Sequence, residues 1–182
     1  MFRRFTHLPA PATIILALLL GACTDTSNDP IPVLGATEVE KGGVAPDFTL
    51  LDPDGNPVSL SEYRGKVVYV EFWATWCSYC MAAMPGLVRV WEDYRDREFV
   101  ILGVSLDYRE GDWKKYLAQN SDVSWPQVFD PVKTSDSPTV VYGVTGTPTS
   151  FLIDREGVIR QIHRGAAGEQ KLREEIDTLL AE

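Results

Sequence analysis

Hydrophobic positions follow two distinct rhythms along the chain, and the switches between them predict its elements. Lys66 to Trp73 is almost continuously apolar, rich in β-branched and aromatic residues, the pattern of a central strand covered on both faces. Beginning at Cys77 the period changes. Met81, Met84, Leu87, Val88, Trp91 and Tyr94 recur at steps of three and four, which predicts a helix in which Pro85 introduces a kink rather than an end. Phe99 to Leu106 is a second buried strand. A further helix is expected from Asp112 as N-cap, with Trp113, Tyr116 and Leu117 turned inward. Upstream, Phe48 and Leu50 face Val58 and Leu60 across a D-G-N-P turn signal, a short β-hairpin, and Ser61 to Tyr63 predicts one helical turn. Downstream come a strand over Trp125–Phe129, a helical turn over Thr139–Tyr142, a strand over Ser150–Ile153, a turn at 154–157, a strand over Val158–His163 and a final helix over Glu169–Leu180. Parallel strands finished by an antiparallel hairpin and a terminal helix define an α/β fold, a three-layer α/β/α sandwich.

The first forty residues do not share these rhythms. Arg3 and Arg4 precede an apolar run from Ala10 to Leu20, too short and proline-flanked for a permanent membrane span, so residues 1–22 read as a signal peptide. The run ends in Leu20-Gly21-Ala22-Cys23, which resembles the lipobox of bacterial lipoproteins. That resemblance implies cleavage before Cys23, lipid on Cys23 and a membrane anchor. Thr24, where inner-membrane retention would want Asp, favours sorting to the outer membrane in a Gram-negative host. Residues 23–43, rich in Thr, Asp, Pro and Gly, read as a flexible tether, leaving 44–182 as the folded domain. Loss of the leader removes two arginines and no acid, taking the net charge from −9 to −11. An acidic domain of this kind has no footprint for nucleic acid.

Of the three cysteines, one is the candidate anchor and two form a C-x-x-C pair where strand gives way to helix. Backbone N–H groups at a helix start lack intrahelical partners and carry partial positive charge, which stabilises a thiolate on Cys77. Cys80 lies one turn further in on the same face, able to close a disulfide with it, as dithiol–disulfide exchange requires. A zinc half-site would want a second C-x-x-C or paired histidines, and neither is present in the sequence. No metal is expected, and the redox-active disulfide takes the place of a cofactor.

The A-P-D-F-T-L opening (45–50), F-W-A-T-W-C (72–77), Pro85, an insert over about Asp107–Asn120 and Y-G-V-T-G-T-P-T (142–149) together resemble the thioredoxin fold. In detail they are similar to its membrane-tethered TlpA/ResA-type branch. The resemblance covers about Val44 to Leu180. It implies that Cys77 is the nucleophile and Cys80 the resolving thiol, and that Pro148 follows a cis peptide bond beside the disulfide. Trp76, Tyr79, Gly146 and Thr147 would then rim a groove in which an extended substrate segment pairs with the backbone at Thr147. The activity implied is reduction of disulfides in exported proteins, apocytochrome c among them, with electrons from a membrane thiol reductase.

Glu71, six residues before Cys77 in a strand that reads as buried, stands where thioredoxins carry a buried Asp. Burial there should raise its pKa, fitting it to accept the Cys80 proton, whereas a strand-end carboxylate reaching solvent would do neither. The Ser78–Tyr79 dipeptide is similar to the C-x-Y-C of glutaredoxins and bacterial disulfide isomerases, which keeps oxidation or isomerisation in view. A-P-D-F also opens peroxiredoxins, but their P-x-x-x-T-x-x-C pattern is missing. A non-catalytic binding module using the cis-proline groove predicts instead that Cys77→Ser leaves function intact.

Overall fold

The computed structural model describes residues 39–130 and 134–182. Seven strands form one mixed sheet: β1 (Thr49–Leu51), β2 (Pro57–Ser59), β3 (Val67–Trp73), β4 (Phe99–Ser105), β5 (Gln127–Phe129), β6 (Thr149–Ile153) and β7 (Ile159–Arg164), in the order β2-β1-β5-β4-β3-β6-β7. Strands β3, β4 and β5 are parallel, whereas β6 runs antiparallel to β3 and β7 to β6. All seven residues of β3 and all seven of β4 are buried, as their unbroken apolar sequences require of strands covered on both faces.

Among the described residues four α-helices flank the sheet, α1 (Ser78–Tyr94), α2 (Glu110–Gln119), α3 (Pro138–Val141) and α4 (Glu169–Ala181), and the helical turn expected over Ser61–Tyr63 is a 3-10 turn over Leu60–Tyr63. The face that carries Tyr69, Glu71 and Trp73 is covered by α1, α2 and α4. Trp73 meets Tyr116 of α2, and Trp113 stacks on Phe129. The opposite face, with Phe72 and Phe151, is covered by Tyr142 at the end of α3, which also meets Phe48. These layers are the expected sandwich, its second helical layer reduced to the short α3.

Helix α1 runs unbroken through Pro85, so the missing N–H costs one internal bond without ending the helix. Helix α2 begins at Glu110, two residues before the expected cap. Asp112 serves in the first turn, pairing with Arg109 at 2.8 Å, and no side chain caps the N-terminal N–H groups. Strand β5 starts at Gln127 rather than Trp125, because Pro126 has no N–H to give a ladder and offers only its carbonyl, to Gly103 N at 2.9 Å. The hairpin turn between β1 and β2 is held by Asp52, whose carboxylate accepts from Asp54 N, Asn56 N and Asn56 Nδ2. Ahead of the domain, Gly42 N donates to Ile159 O and Ile159 N to Gly43 O, which lays residues 42–43 along the start of β7.

The predicted leader and anchor, including Cys23, lie outside the described residues. Among the described residues no helix is long and apolar enough to cross a membrane.

Candidate active site

The C-terminal ends of β3, β4 and β5 and the N-terminal end of β6 meet at one edge of the sheet, since Phe72 of β3 is in register with Thr149 of β6. Everything the C-x-x-C motif needs is delivered to that edge. The chain leaves β3 at Trp73, turns through Ala74–Trp76, and makes Cys77 the N-cap of α1. Cys77 and Cys80 are joined as a disulfide with their Cα atoms 5.2 Å apart, and Cys80 N–H donates to Cys77 Sγ at 3.1 Å. That bond is a cap made by sulfur in place of the usual oxygen, so the helix start is already organised to favour negative charge on Cys77. Cys80 is fully buried and Cys77 retains 5% of its surface, which makes the outer sulfur the accessible one.

The Thr147–Pro148 peptide bond is cis, as the family resemblance implied. Its loop is fastened by Thr149 Oγ1 donating to Gly146 O at 2.7 Å and Gly165 N donating to Pro148 O at 2.8 Å. Gly146 is exposed, Thr147 half-buried and Pro148 buried, and a depression of about 190 Å³ opens over them beside Arg164. Trp76 and Tyr79 are exposed, at 51% and 77%, on either side of Cys77 in the sequence. The structure therefore brings the cysteines into covalent contact and sets the cis-proline loop at the same sheet edge.

Glu71 is 3% exposed, in the middle of the sheet face beneath α1. Burial pushes its pKa up to about 8. Its Oε2 has no hydrogen-bond partner, and the carboxyl group borders a cavity of about 250 Å³ between α1 and the start of α4. Small residues, Ala82, Ala83, Gly86 and Ala167, leave that space open, and Arg89 and Glu169 close on each other at its rim at 2.7 Å. The carboxyl group can therefore hold a proton at neutral pH and exchange it with water entering the cavity.

Two residues of this edge were missed in the sequence. Asp107, buried at the end of β4, accepts from Thr75 N at 3.1 Å, Thr75 Oγ1 at 2.5 Å and Ser105 Oγ at 2.9 Å. It thereby ties the loop before the cysteines to the start of the insert. Its neighbour Tyr108, 84% exposed, stacks on Trp76 with ring centroids 5.4 Å apart and planes 18° apart. The one available signal was position, since Asp107 follows a parallel strand at its C-terminal end, where ligands and sites gather.

A dithiol pair closed at a helix start, a cis-proline loop at the same sheet edge and a buried acid in the adjoining strand define a thioredoxin-fold thiol–disulfide oxidoreductase. The chain belongs to the AhpC/TSA family, which matches residues 42–162. It is 32% identical over 167 residues to the thiol-disulfide oxidoreductase ResA of Geobacillus thermodenitrificans, covering 92% of this chain and 93% of that one. It also superposes, with a TM-score of 0.71 and 38% identity, on a Chlorobium tepidum protein assigned as the thiol:disulfide interchange protein DsbE, covering 79% of this chain and 99% of the other. A thiol:disulfide interchange protein from Bacteroides sp. matches with a TM-score of 0.67 at 34% identity, over 79% and 92% of the two chains. The protein is thus a thiol–disulfide oxidoreductase acting on disulfide-containing substrates through the Cys77–Cys80 pair.

Proposed function

We propose that this oxidoreductase is a lipid-anchored, extracytoplasmic reductant of disulfides in exported proteins. The observation that carries the chemistry is the position of Glu71, a buried proton-holding carboxyl beneath the helix that presents the disulfide. Cys77 thiolate attacks a substrate disulfide, a mixed disulfide forms, and the substrate's other sulfur leaves as thiolate. The ionised fraction of Glu71, about a tenth at pH 7 for a pKa of about 8, then takes the proton of Cys80, whose sulfur attacks Cys77 Sγ and releases the second substrate thiolate. Two electrons pass to the substrate, and the protein is left with its disulfide closed and Glu71 protonated. A carboxyl with a pKa of about 8 keeps that proton at neutral pH in the oxidised form and returns it through the cavity when the pair is reduced.

Trp76, Tyr79, Gly146, Thr147 and Pro148 form the substrate rim in this reading, an extended segment pairing with the backbone at Thr147. Support for the extracytoplasmic setting comes from the leader and the Leu20–Cys23 lipobox, with outer-membrane sorting favoured by Thr24 in a Gram-negative host. In such an oxidising compartment a reductant needs resupply, so the partner on the electron-donor side is a membrane thiol reductase. Apocytochrome c is one disulfide-bearing substrate of the right class.

The test is the potential of the Cys77/Cys80 pair, equilibrated in graded thiol–disulfide buffers. A value near roughly −270 mV or lower is expected for a reductant. A value of ~−120 to −180 mV would reverse the assignment to oxidation or isomerisation, with the Ser78–Tyr79 dipeptide as the first place to seek the cause. In parallel, Cys80→Ala should accumulate substrates as mixed disulfides on Cys77; cells yielding no such adducts would remove the exchange mechanism.

A further inference from the structure

Acidic side chains outnumber basic ones in this chain, 26 to 17, and its arginines are correspondingly occupied. Arg89, Arg97, Arg109, Arg155, Arg160 and Arg173 each meet a carboxylate within 3.1 Å. Arg95 lies 4.0 Å from Asp96, and Arg64 donates to Glu156 O at 2.6 Å. Arg164 is the exception, with no ion-pair or hydrogen-bond partner for its side chain among the described residues. It stands exposed at the last position of β7, directly opposite Thr149, the residue that follows the cis-proline. Gly165 N, next along the chain, donates to Pro148 O at 2.8 Å, so the backbone that carries Arg164 is fastened to the cis-proline loop.

Thr145, Gly146, Thr147, Pro148 and Gly165 wall the depression of about 190 Å³ over that loop, and Arg164 is the one charged side chain among the described residues that line it. Backbone groups and threonine hydroxyls make up the rest of its polar surface and are neutral, so the local preference is for an anion. We propose that Arg164 is a specificity-determining residue, which pairs with the carboxylate of an acidic side chain close to the reactive cysteine of the substrate. This rests on the reading that the substrate segment lies along the cis-proline loop. A guanidinium presents a planar fork of N–H donors that meets a carboxylate through two parallel bonds, a fit that a lysine ammonium cannot make.

Two further charged groups belong to this sheet edge, and both are engaged within the protein. Arg109, just before α2, is held by Asp112 at 2.8 Å, and the buried carboxylate of Asp107 is filled by Thr75 and Ser105. Arg164 is thereby left to the substrate. Its action differs in range from that of the whole chain. The net charge of −9 governs approach, whereas Arg164 acts at contact on a single side chain. A segment that is cationic overall and carries one Asp or Glu beside its cysteine satisfies both, and that is the partner chemistry the site fits.

The experiment uses the reduced full chain and disulfide peptides of equal net charge, in which a single Glu or Lys is walked through the positions on either side of the reactive cysteine. Work at 0.15 M salt confines long-range effects to about 8 Å. At one position Glu should give a KM about threefold below that of Lys, the scale of an exposed ion pair. Arg164→Glu should invert the order at that position, and Arg164→Lys should keep it with a smaller ratio. A preference for Glu that is absent at every position in the wild type, or one that survives Arg164→Glu unchanged, overturns the proposal; the first of these measurements needs no variant to fold. A failure of the groove reading looks different. In a Cys80→Ala mixed disulfide with the Glu peptide, the amide resonances of Gly146 and Thr147 would then stay where they are in the free variant, whereas a segment lying on the loop should shift them whatever Arg164 does.

Discussion

A carboxyl group buried in mid-strand binds its proton more tightly in the folded protein than in the unfolded chain. For Glu71 the pKa rises from 4.5 to about 8, with burial as the cause. The folded state therefore holds one more proton than the unfolded state between those values, and stability is lost as pH rises through that window. At about 1.4 kcal/mol per pH unit, wild type should lose about 4 kcal/mol more than Glu71→Gln between pH 5 and pH 9. Denaturant melts of both proteins at the two pH values, disulfide intact, check this; parallel losses would place Glu71 in contact with solvent. The burial was legible in the sequence because apolar residues surround Glu71 on both sides within Lys66–Trp73. Asp107 was not, since its partners are set by a loop meeting a strand end, which leaves no local pattern.

Between β3 and α1, and again between β4 and α2, the sequence turns over one short loop, and the two loops are fused through Asp107. Three donors converge on that carboxylate, two of them from Thr75, one residue before Trp76. The result is a stacked Trp76–Tyr108 pair exposed beside the disulfide. Exposed aromatic surface next to a nucleophile suits unfolded or extended protein substrates, whose apolar side chains it can cover. Tyr108→Ala should raise KM for a disulfide-bonded unfolded protein several-fold, in line with about 0.5–1.5 kcal/mol for an aromatic contact, while leaving the rate with a small-molecule disulfide unchanged. Steady-state kinetics with both substrates separate the outcomes; an equal loss on both would mean that Tyr108 supports the disulfide loop itself. The strand-to-helix switch at Cys77 was readable because the hydrophobic period changes there. The N-cap of α2 was displaced by three residues, from Asp112 to Arg109, because Glu110 and Asp112 both suit a first turn, and an acidic pair leaves the cap ambiguous.

Over the whole molecule, the layered α/β/α arrangement followed from alternating strand and helix patterns, whereas the placement of β6 beside β3 did not. That placement joins the cis-proline loop to the cysteines and came from the family resemblance, because an antiparallel strand inserted next to the first parallel one is encoded in long-range packing alone. Charge, unlike topology, is read directly from the sequence. With 26 acidic against 17 basic side chains, the chain carries a net −9. Its surface ion pairs, such as Arg97–Asp177 and Arg109–Asp112, are largely exposed and add little stability, so the excess charge acts mainly on approaching partners. Cationic disulfide substrates should then be captured faster than anionic ones of the same length at low salt, and the gap should close as the screening length falls from about 30 Å at 0.01 M to about 3 Å at 1 M. Stopped-flow reduction of two disulfide peptides, one flanked by lysines and one by glutamates, over that salt range measures it. Rates for the lysine peptide should fall several-fold with salt and those for the glutamate peptide should rise. Identical, salt-independent rates would show that the field at the disulfide is set by local groups, Arg109 and Arg164 among them, rather than by the acidic surface as a whole.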